Sequence, residues 1–179
     1  AIQEGKLGLP FVQKTRTAGY DGRGVKVVKD ESDVDDWLLG PSLVEELVDI
    51  QKELAVIVAQ NESGDRSAFP TVEMVFNEDA NLVEQLICPA KVSEEIAAEA
   101  EELAIELVEK MGLVGILAVE FFLTNDNQLV INEVAPRPHN SGHHTIEATV
   151  TSQYEQYLRA IFNYPCLLYT SDAADEGHC

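Results

Sequence analysis

The stretch Ile131-Asn132-Glu133-Val134-Ala135-Pro136-Arg137-Pro138-His139-Asn140-Ser141-Gly142-His143 gathers the densest set of reactive side chains in this 179-residue chain. A short apolar run delivers one carboxylate, Glu133. It then enters a loop stiffened by two prolines that presents a guanidinium, an amide, a hydroxyl and two imidazoles. Loops held on a rigid scaffold commonly carry function, because they are positioned yet reachable. Arg137 is one of only 12 Lys and Arg residues, and such scarce positive charge would make a local site for an anion on an otherwise repelling surface.

A second carboxylate belongs with it. Gly115 to Thr124 and Gln128 to Val134 read as two strands of a hairpin turning at Asn125-Asp126-Asn127. If Asp126-Asn127 is a two-residue turn, Glu120 falls directly opposite Glu133, on the same face, with Cβ atoms about 5 Å apart. At an effective dielectric of about 20, two such charges repel by roughly 3 kcal/mol. Something positive should lie between them. Magnesium is one candidate, since two carboxylates plus water and phosphate oxygens suit it. A raised pKa in one Glu, or a lysine reaching across, are the others. A three-residue turn without a compensating bulge would put the two acids on opposite faces.

Gly19, Gly22 and Gly24 alternate with Tyr20, Asp21 and Arg23 between two short apolar runs, with Lys14 and Arg16 just before. Glycines allow close backbone approach, and exposed N–H groups in such loops can cradle phosphate. The spacing fits neither a dinucleotide fingerprint nor a Walker loop. A flap over a nucleotide, or a plain hairpin tip, both remain open.

The elements that must position these groups follow from pattern. Leu9–Thr15 and Val25–Val28 read as strands of a hairpin, and 30–39 as a short helix. Ser42–Leu47, Leu54–Gln60 and Thr71–Phe76 read as further strands. Ser93–Met111 carries Ile96, Ala100, Leu103, Ala104, Leu107, Val108 and Met111 at helical spacing, with Gly112 as the stop. A last helix opens at Ser152, where Glu155 completes a capping box, and Tyr154, Tyr157, Leu158, Ile161 and Phe162 form its apolar stripe.

Composition narrows the function. With 32 Asp and Glu against 12 Lys and Arg, the net charge of -20 argues against binding nucleic acid or an anionic membrane surface. No apolar run is long enough to span a bilayer. Three cysteines suggest no disulfide framework and fit a cytoplasmic setting.

Taken together, Lys14-Thr15-Arg16, Gly19 to Gly24, Glu120, Ile131 to His143 and Thr151-Ser152-Gln153-Tyr154-Glu155 resemble the ATP-grasp family, within it the 5-(carboxyamino)imidazole ribonucleotide synthases. The likeness runs over residues 10–165. It implies an α+β fold in which two subdomains grip ATP, and a ligase reaction. ATP and bicarbonate would give carboxyphosphate, which carboxylates 5-aminoimidazole ribonucleotide and leaves ADP and phosphate. By position, Lys14 with Gly19, Gly22 and Gly24 would meet the nucleotide phosphates, Glu45 the adenine and Glu53 the ribose. Glu120 and Glu133 would hold Mg²⁺. Tyr20, Asp21 and Arg23 would face the ribonucleotide, and Arg137, His139 and Asn140 the bicarbonate. The resemblance also implies a homodimer for the full-length protein.

Domain bounds are expected at 1–43 for the remainder of the small subdomain with its flap, and 44–165 for the large one. Residues 166–179 match nothing in the family and are expected to be a disordered or artefactual tail on an internal fragment. One departure matters: many ATP-grasp enzymes place an Asn two residues after the second metal-binding Glu, where this chain has Ala135. Competing readings are another ATP-grasp ligase, a nucleotide-binding module without turnover, and a zinc hydrolase built on His139, His143 and His144. Pro136, Pro138 and Gly142 argue against the helix such a zinc site would need.

Overall fold

The computed structural model describes residues 8–17, 19, 24–77 and 82–166. The chain forms two compact units, one from within 1–49 and 76–82, the other from within 50–75 and 83–179.

The first unit is built on a three-stranded antiparallel sheet of β1 (Phe11–Thr15), β2 (Val25–Val28) and β3 (Ser42–Glu46), in the order β2-β1-β3. The β1–β2 hairpin closes where Thr15 N–H donates to Gly24 O at 2.8 Å. Gly24 is left-handed, at φ +81°, and an added Cβ would run into the Thr15 hydroxyl, so glycine is required there. Sequence pattern predicts a helix over 30–39. The structure has a shorter 3₁₀ turn, Glu31–Asp36, capped by Asp30 and ended by extended Trp37. Trp37 meets the Phe11 ring edge-on, with centroids 6.1 Å apart.

The second unit centres on the long strand β4 (Ile50–Gln60). Around it lie β5 (Arg66–Ala68), β6 (Val72–Asn77), β7 (Leu82–Ile87), β8 (Gly115–Thr124) and β9 (Leu129–Ala135). The order is β7-β6-β4-β8-β9, with β5 paired to β4, and β9 forms an edge. Residues Leu54 to Ala59 are all fully buried, because both faces of β4 are covered. On one face Leu54, Val56 and Val58 join Leu117, Val119, Phe121 and Leu123 against Ala100, Ala104 and Val108 of α1 (Glu94–Met111). Each such Leu, Val or Phe contributes about 1.5–3 kcal/mol by leaving water. On the other face Ile57, Ile116, Ala118 and Ala135 pack with Phe69 and Tyr157.

Helix α1 starts and stops where the sequence predicts. Ser93 accepts from Ile96 N–H, and Gly112 is left-handed at φ 59°. After β9 come a 3₁₀ turn (Asn140–Gly142), α2 (Thr145–Ala148) and α3 (Gln153–Ile161). Among the described residues no helix is long and apolar enough to cross a membrane.

Several expectations change. The division falls at 49/50 rather than 43/44, because β3 pairs with β1 in full register, and residues 76–82 return to the first unit. Strands β5 and β7 are legible only in the structure. Only part of the apolar stripe expected on α3 faces inward: Tyr157 packs on the core, but Tyr154 is 43%, Leu158 50% and Phe162 66% exposed, whereas Gln153, Gln156 and Ala160 are buried. Ser152 does cap α3 by accepting from Glu155 N–H, but the Glu155 carboxylate turns to Arg159 at 3.0 Å. Of the tail expected at 166–179, Cys166 is described, its N–H donating to Asp65 Oδ2 at 2.8 Å, and residues 167–179 lie outside the described residues.

Candidate active site

The hairpin that carries both glutamates contains two irregularities that cancel. Asn127 N–H donates to Thr124 O at 2.9 Å and Thr124 N–H to Gln128 O at 3.0 Å, enclosing a three-residue loop, Asn125–Asn127. Asn127 is left-handed, at φ 58°, a conformation that Asn tolerates better than most residues. The two-residue turn used to align the strands is therefore not present. The ladder runs Leu123↔Leu129, Phe122↔Val130 and Phe121↔Ile131, a register that would set Asn132 against Glu120. A bulge then intervenes: Asn132 is the extra residue, and Glu120 pairs with Glu133. The acids face each other as the spacing predicts, by a different route.

A third donor joins them. One ligand atom each from Glu120, Glu133 and His139 lie within 4.8 Å of one another. His139 is buried at 9% exposure, and its Nε2 stands 3.6 Å from Glu120 Oε1. Its other ring nitrogen, Nδ1, is 3.0 Å from Ser141 Oγ. Pro136 and Pro138 each push the residue before them toward extended backbone, carrying the chain from β9 to His139 without a helix. Ala135, two residues after Glu133, packs in the core opposite Ala118. Two carboxylates and one imidazole suit a hard or borderline divalent ion. Among the described residues this is the group able to hold one, and it does not include His143 or His144. His144 turns Nδ1 to Ser141 O at 3.1 Å, and burial lowers its pKa. The zinc-hydrolase reading therefore falls.

Glu53 belongs to the same sheet face. It sits across from Phe122, while Ala55, two residues on, sits across from Glu120. Glu53 and Glu120 are thus diagonal neighbours, roughly 7–8 Å apart at the backbone. Burial raises the pKa of Glu53 above the ordinary carboxylate value. Arg137 and Asn140 flank His139 on the exposed loop. Arg137 Nη1 donates to Pro138 O at 3.2 Å, and Asn140 Oδ1 accepts from Ser141 N–H at 2.8 Å.

The remaining candidates lie in the first unit. Glu45 is across from Val12 and Lys14 from Leu43, so the two share a face diagonally. Lys14 Nζ reaches Glu45 Oε2 at 2.6 Å. Two groups assigned to different parts of a nucleotide thus hold each other here. Gly19 is exposed and Gly24 closes the hairpin. Tyr20, Asp21, Gly22 and Arg23 lie outside the described residues. Gln153 carries no assigned role in the sequence, although it falls inside a quoted motif. A polar residue at a helix start reads as surface, and only its complete burial marks it.

N5-carboxyaminoimidazole ribonucleotide synthase of Bacillus subtilis is 44% identical over 169 residues, 92% of this chain and 43% of that protein. The crystal structure of the Thermotoga maritima synthetase of that name superposes with a TM-score of 0.81 at 43% identity, covering 96% of this chain and 43% of that one. An Aspergillus clavatus synthase, solved with ADP and 5-aminoimidazole ribonucleotide, gives 0.81 at 34% identity over 90% of this chain and 42% of its own. The chain thus spans less than half the length of these relatives. The model of the ATP-grasp domain matches residues 2–154. With paired strand carboxylates at its centre and that match across most of its length, the chain belongs to the ATP-grasp family.

Proposed function

We propose that this chain is the nucleotide- and metal-holding part of an enzyme that carboxylates 5-aminoimidazole ribonucleotide, using ATP and bicarbonate, in purine synthesis in the cytoplasm. The observation that carries the reading is the cluster of Glu120, Glu133 and His139. The names and bound ligands of the relatives, read across to this chain, support the choice of substrates.

In this reading a bicarbonate oxygen attacks the γ-phosphorus of ATP, ADP leaves, and carboxyphosphate forms. The exocyclic amine of the ribonucleotide then attacks the carboxyl carbon, phosphate leaves and the nitrogen loses a proton. Glu120 and Glu133 hold Mg²⁺, which when bound neutralises phosphate charge. Arg137, His139 and Asn140 hold and orient bicarbonate and the carboxyl group derived from it. Lys14, with the loop of Gly19, Gly22 and Gly24, holds the phosphates, Glu45 the adenine and Glu53 the ribose hydroxyls. Tyr20, Asp21 and Arg23 hold the ribonucleotide. Almost all the catalysis is placement and charge stabilisation, as phosphoryl transfer requires.

The test is phosphate release from ATP and bicarbonate, with and without aminoimidazole ribonucleotide, by the chain extended at both ends to its relatives' length. Release that depends on all three substrates is the expected result. ATP binding without release in the extended form would leave only a nucleotide-binding module.

A further inference from the structure

The loop that carries His139 is held from beneath by a side chain to which the reaction scheme gives no role. Gln153, the first residue of α3, is fully buried. His139 is extended, at φ -132° and ψ 155°, which turns its own N–H and C=O to the same side. The Gln153 carboxamide answers both: Oε1 accepts from His139 N–H at 2.9 Å, and Nε2 donates to His139 O at 2.8 Å. It thus stands in for a neighbouring strand at a point where the sheet has ended.

The carboxamide is itself locked. A Cβ on Gly142 would lie 2.6–2.9 Å from its Oε1, Cδ and Nε2, so any larger residue there must displace the carboxamide. Thr145 Oγ1 accepts from Gln153 N–H at 2.9 Å and donates to Gly142 O at 2.6 Å, tying the start of α3 to the same turn. With the backbone fixed, the imidazole meets Ser141 behind it, Nδ1 lying 3.0 Å from Ser141 Oγ and 3.5 Å from Ser141 N, and Nε2 stands 3.6 Å from Glu120 Oε1. Turning the carboxamide away would free the peptide at His139, and with it the direction of Nε2.

We propose that Gln153 is a positioning residue, whose two-point hold on the His139 backbone sets the imidazole Nε2 against Glu120. What His139 then does rests on the function proposed above, but its placement does not. A comparison lies within the same chain. Gln13 grips Leu38 the same way, accepting from its N–H at 3.0 Å and donating to its C=O at 2.9 Å, where neither Leu38 nor its neighbours Trp37 and Leu39 is a site residue.

The decisive experiment reads the imidazole nitrogens of His139 by ¹⁵N NMR at one fixed pH in the whole 179-residue chain. In the wild type each nitrogen should give one sharp signal, from one ring orientation. Gln153→Met should shift or broaden them, whereas Gln13→Met should leave them unchanged. Gly142→Ala, which displaces the carboxamide without deleting it, should act like Gln153→Met. A folded Gln153→Met or Gly142→Ala protein with wild-type His139 signals would overturn the proposal. Wild-type hydrogen exchange needs no variant: the His139 amide should exchange as slowly as the amides of β8, and exchange at the rate of an open loop would also overturn it. In the extended enzyme, Gln153→Met should lower kcat about ten-fold or more with KM for ATP within about two-fold. Equal loss in kcat and ATP affinity would point to a structural plug instead. If the wild type releases no phosphate while the imidazole signals respond as described, the carboxylation reading fails and the positioning role stands.

Discussion

Glu120 stands directly across from Glu133 although the loop between their strands is one residue longer than that pairing requires, and Asn132 absorbs the difference. Their mutual repulsion is a standing cost in the absence of a cation. Glu133→Gln should therefore move stability and metal binding in opposite directions. Without metal the variant should melt higher, the roughly 3 kcal/mol of repulsion being an upper bound because Glu133 is exposed and salt screens it. Its affinity for Mn²⁺, read by calorimetry, should fall at least about ten-fold, and Mg²⁺-dependent turnover of the extended enzyme should vanish. Wild-type Mn²⁺ affinity in this variant would remove Glu133 from the site.

The loop itself gives a sharper structural prediction. Asn127 is the one residue of the β8–β9 turn held left-handed. Asn127→Ala should cost about 1 kcal/mol in urea unfolding, whereas Asn127→Gly should be neutral or slightly stabilising. Equal costs for the two would mean the turn is of another type.

Glu53 links stability to pH. Burial holds its folded-state pKa above the unfolded value, so the folded state favours the protonated carboxyl. That contribution is complete below the ordinary carboxylate range and is lost as pH rises through the elevated folded pKa. Glu53→Gln should thus equal the wild type in stability near pH 4 and exceed it at pH 7, measured by urea unfolding at both. A variant less stable at pH 7 would show that the ionised form has a compensating partner.

How far the letters alone reached is clearest on the helices. Helix α1 was legible because its periodicity, Ser93 and Gly112 all point the same way, though Met111 at 49% exposure lies off the buried face. Helix α3 follows the same rule only in part. Tyr157 packs on the core as its spacing predicts, but Tyr154, Leu158 and Phe162 face outward, and the fully buried positions are Gln153, Gln156 and Ala160. Hydrophobic spacing cannot anticipate a buried amide satisfied by another residue's backbone. It follows that Leu158→Gln should change stability by less than about 0.5 kcal/mol, while Ala160→Leu should cost about 1–3 kcal/mol by overpacking. Thermal melts of the two variants separate the readings. Strand pairing was a subtler case: β3 reads as a strand in either unit, and only its register with β1 assigns it.

Lys14 and Glu45 offer the last separation, between an ion pair that stabilises and one that stores a ligand contact. The pair joins neighbouring strands at 2.6 Å, with the Glu45 side chain 44% exposed, and exposed pairs contribute about 0–1 kcal/mol. Lys14→Met should therefore cost less than about 1 kcal/mol in unfolding free energy. If Lys14 exchanges its carboxylate for nucleotide phosphate, the same change should weaken ATP binding by about ten-fold or more, because a charge-assisted contact to phosphate is lost. Glu45→Gln should lower ATP affinity less, since it removes one carboxylate and leaves Lys14 to the phosphates. Should Lys14→Met bind ATP as tightly as the wild type, the pair is a strand tie and the phosphates are held elsewhere.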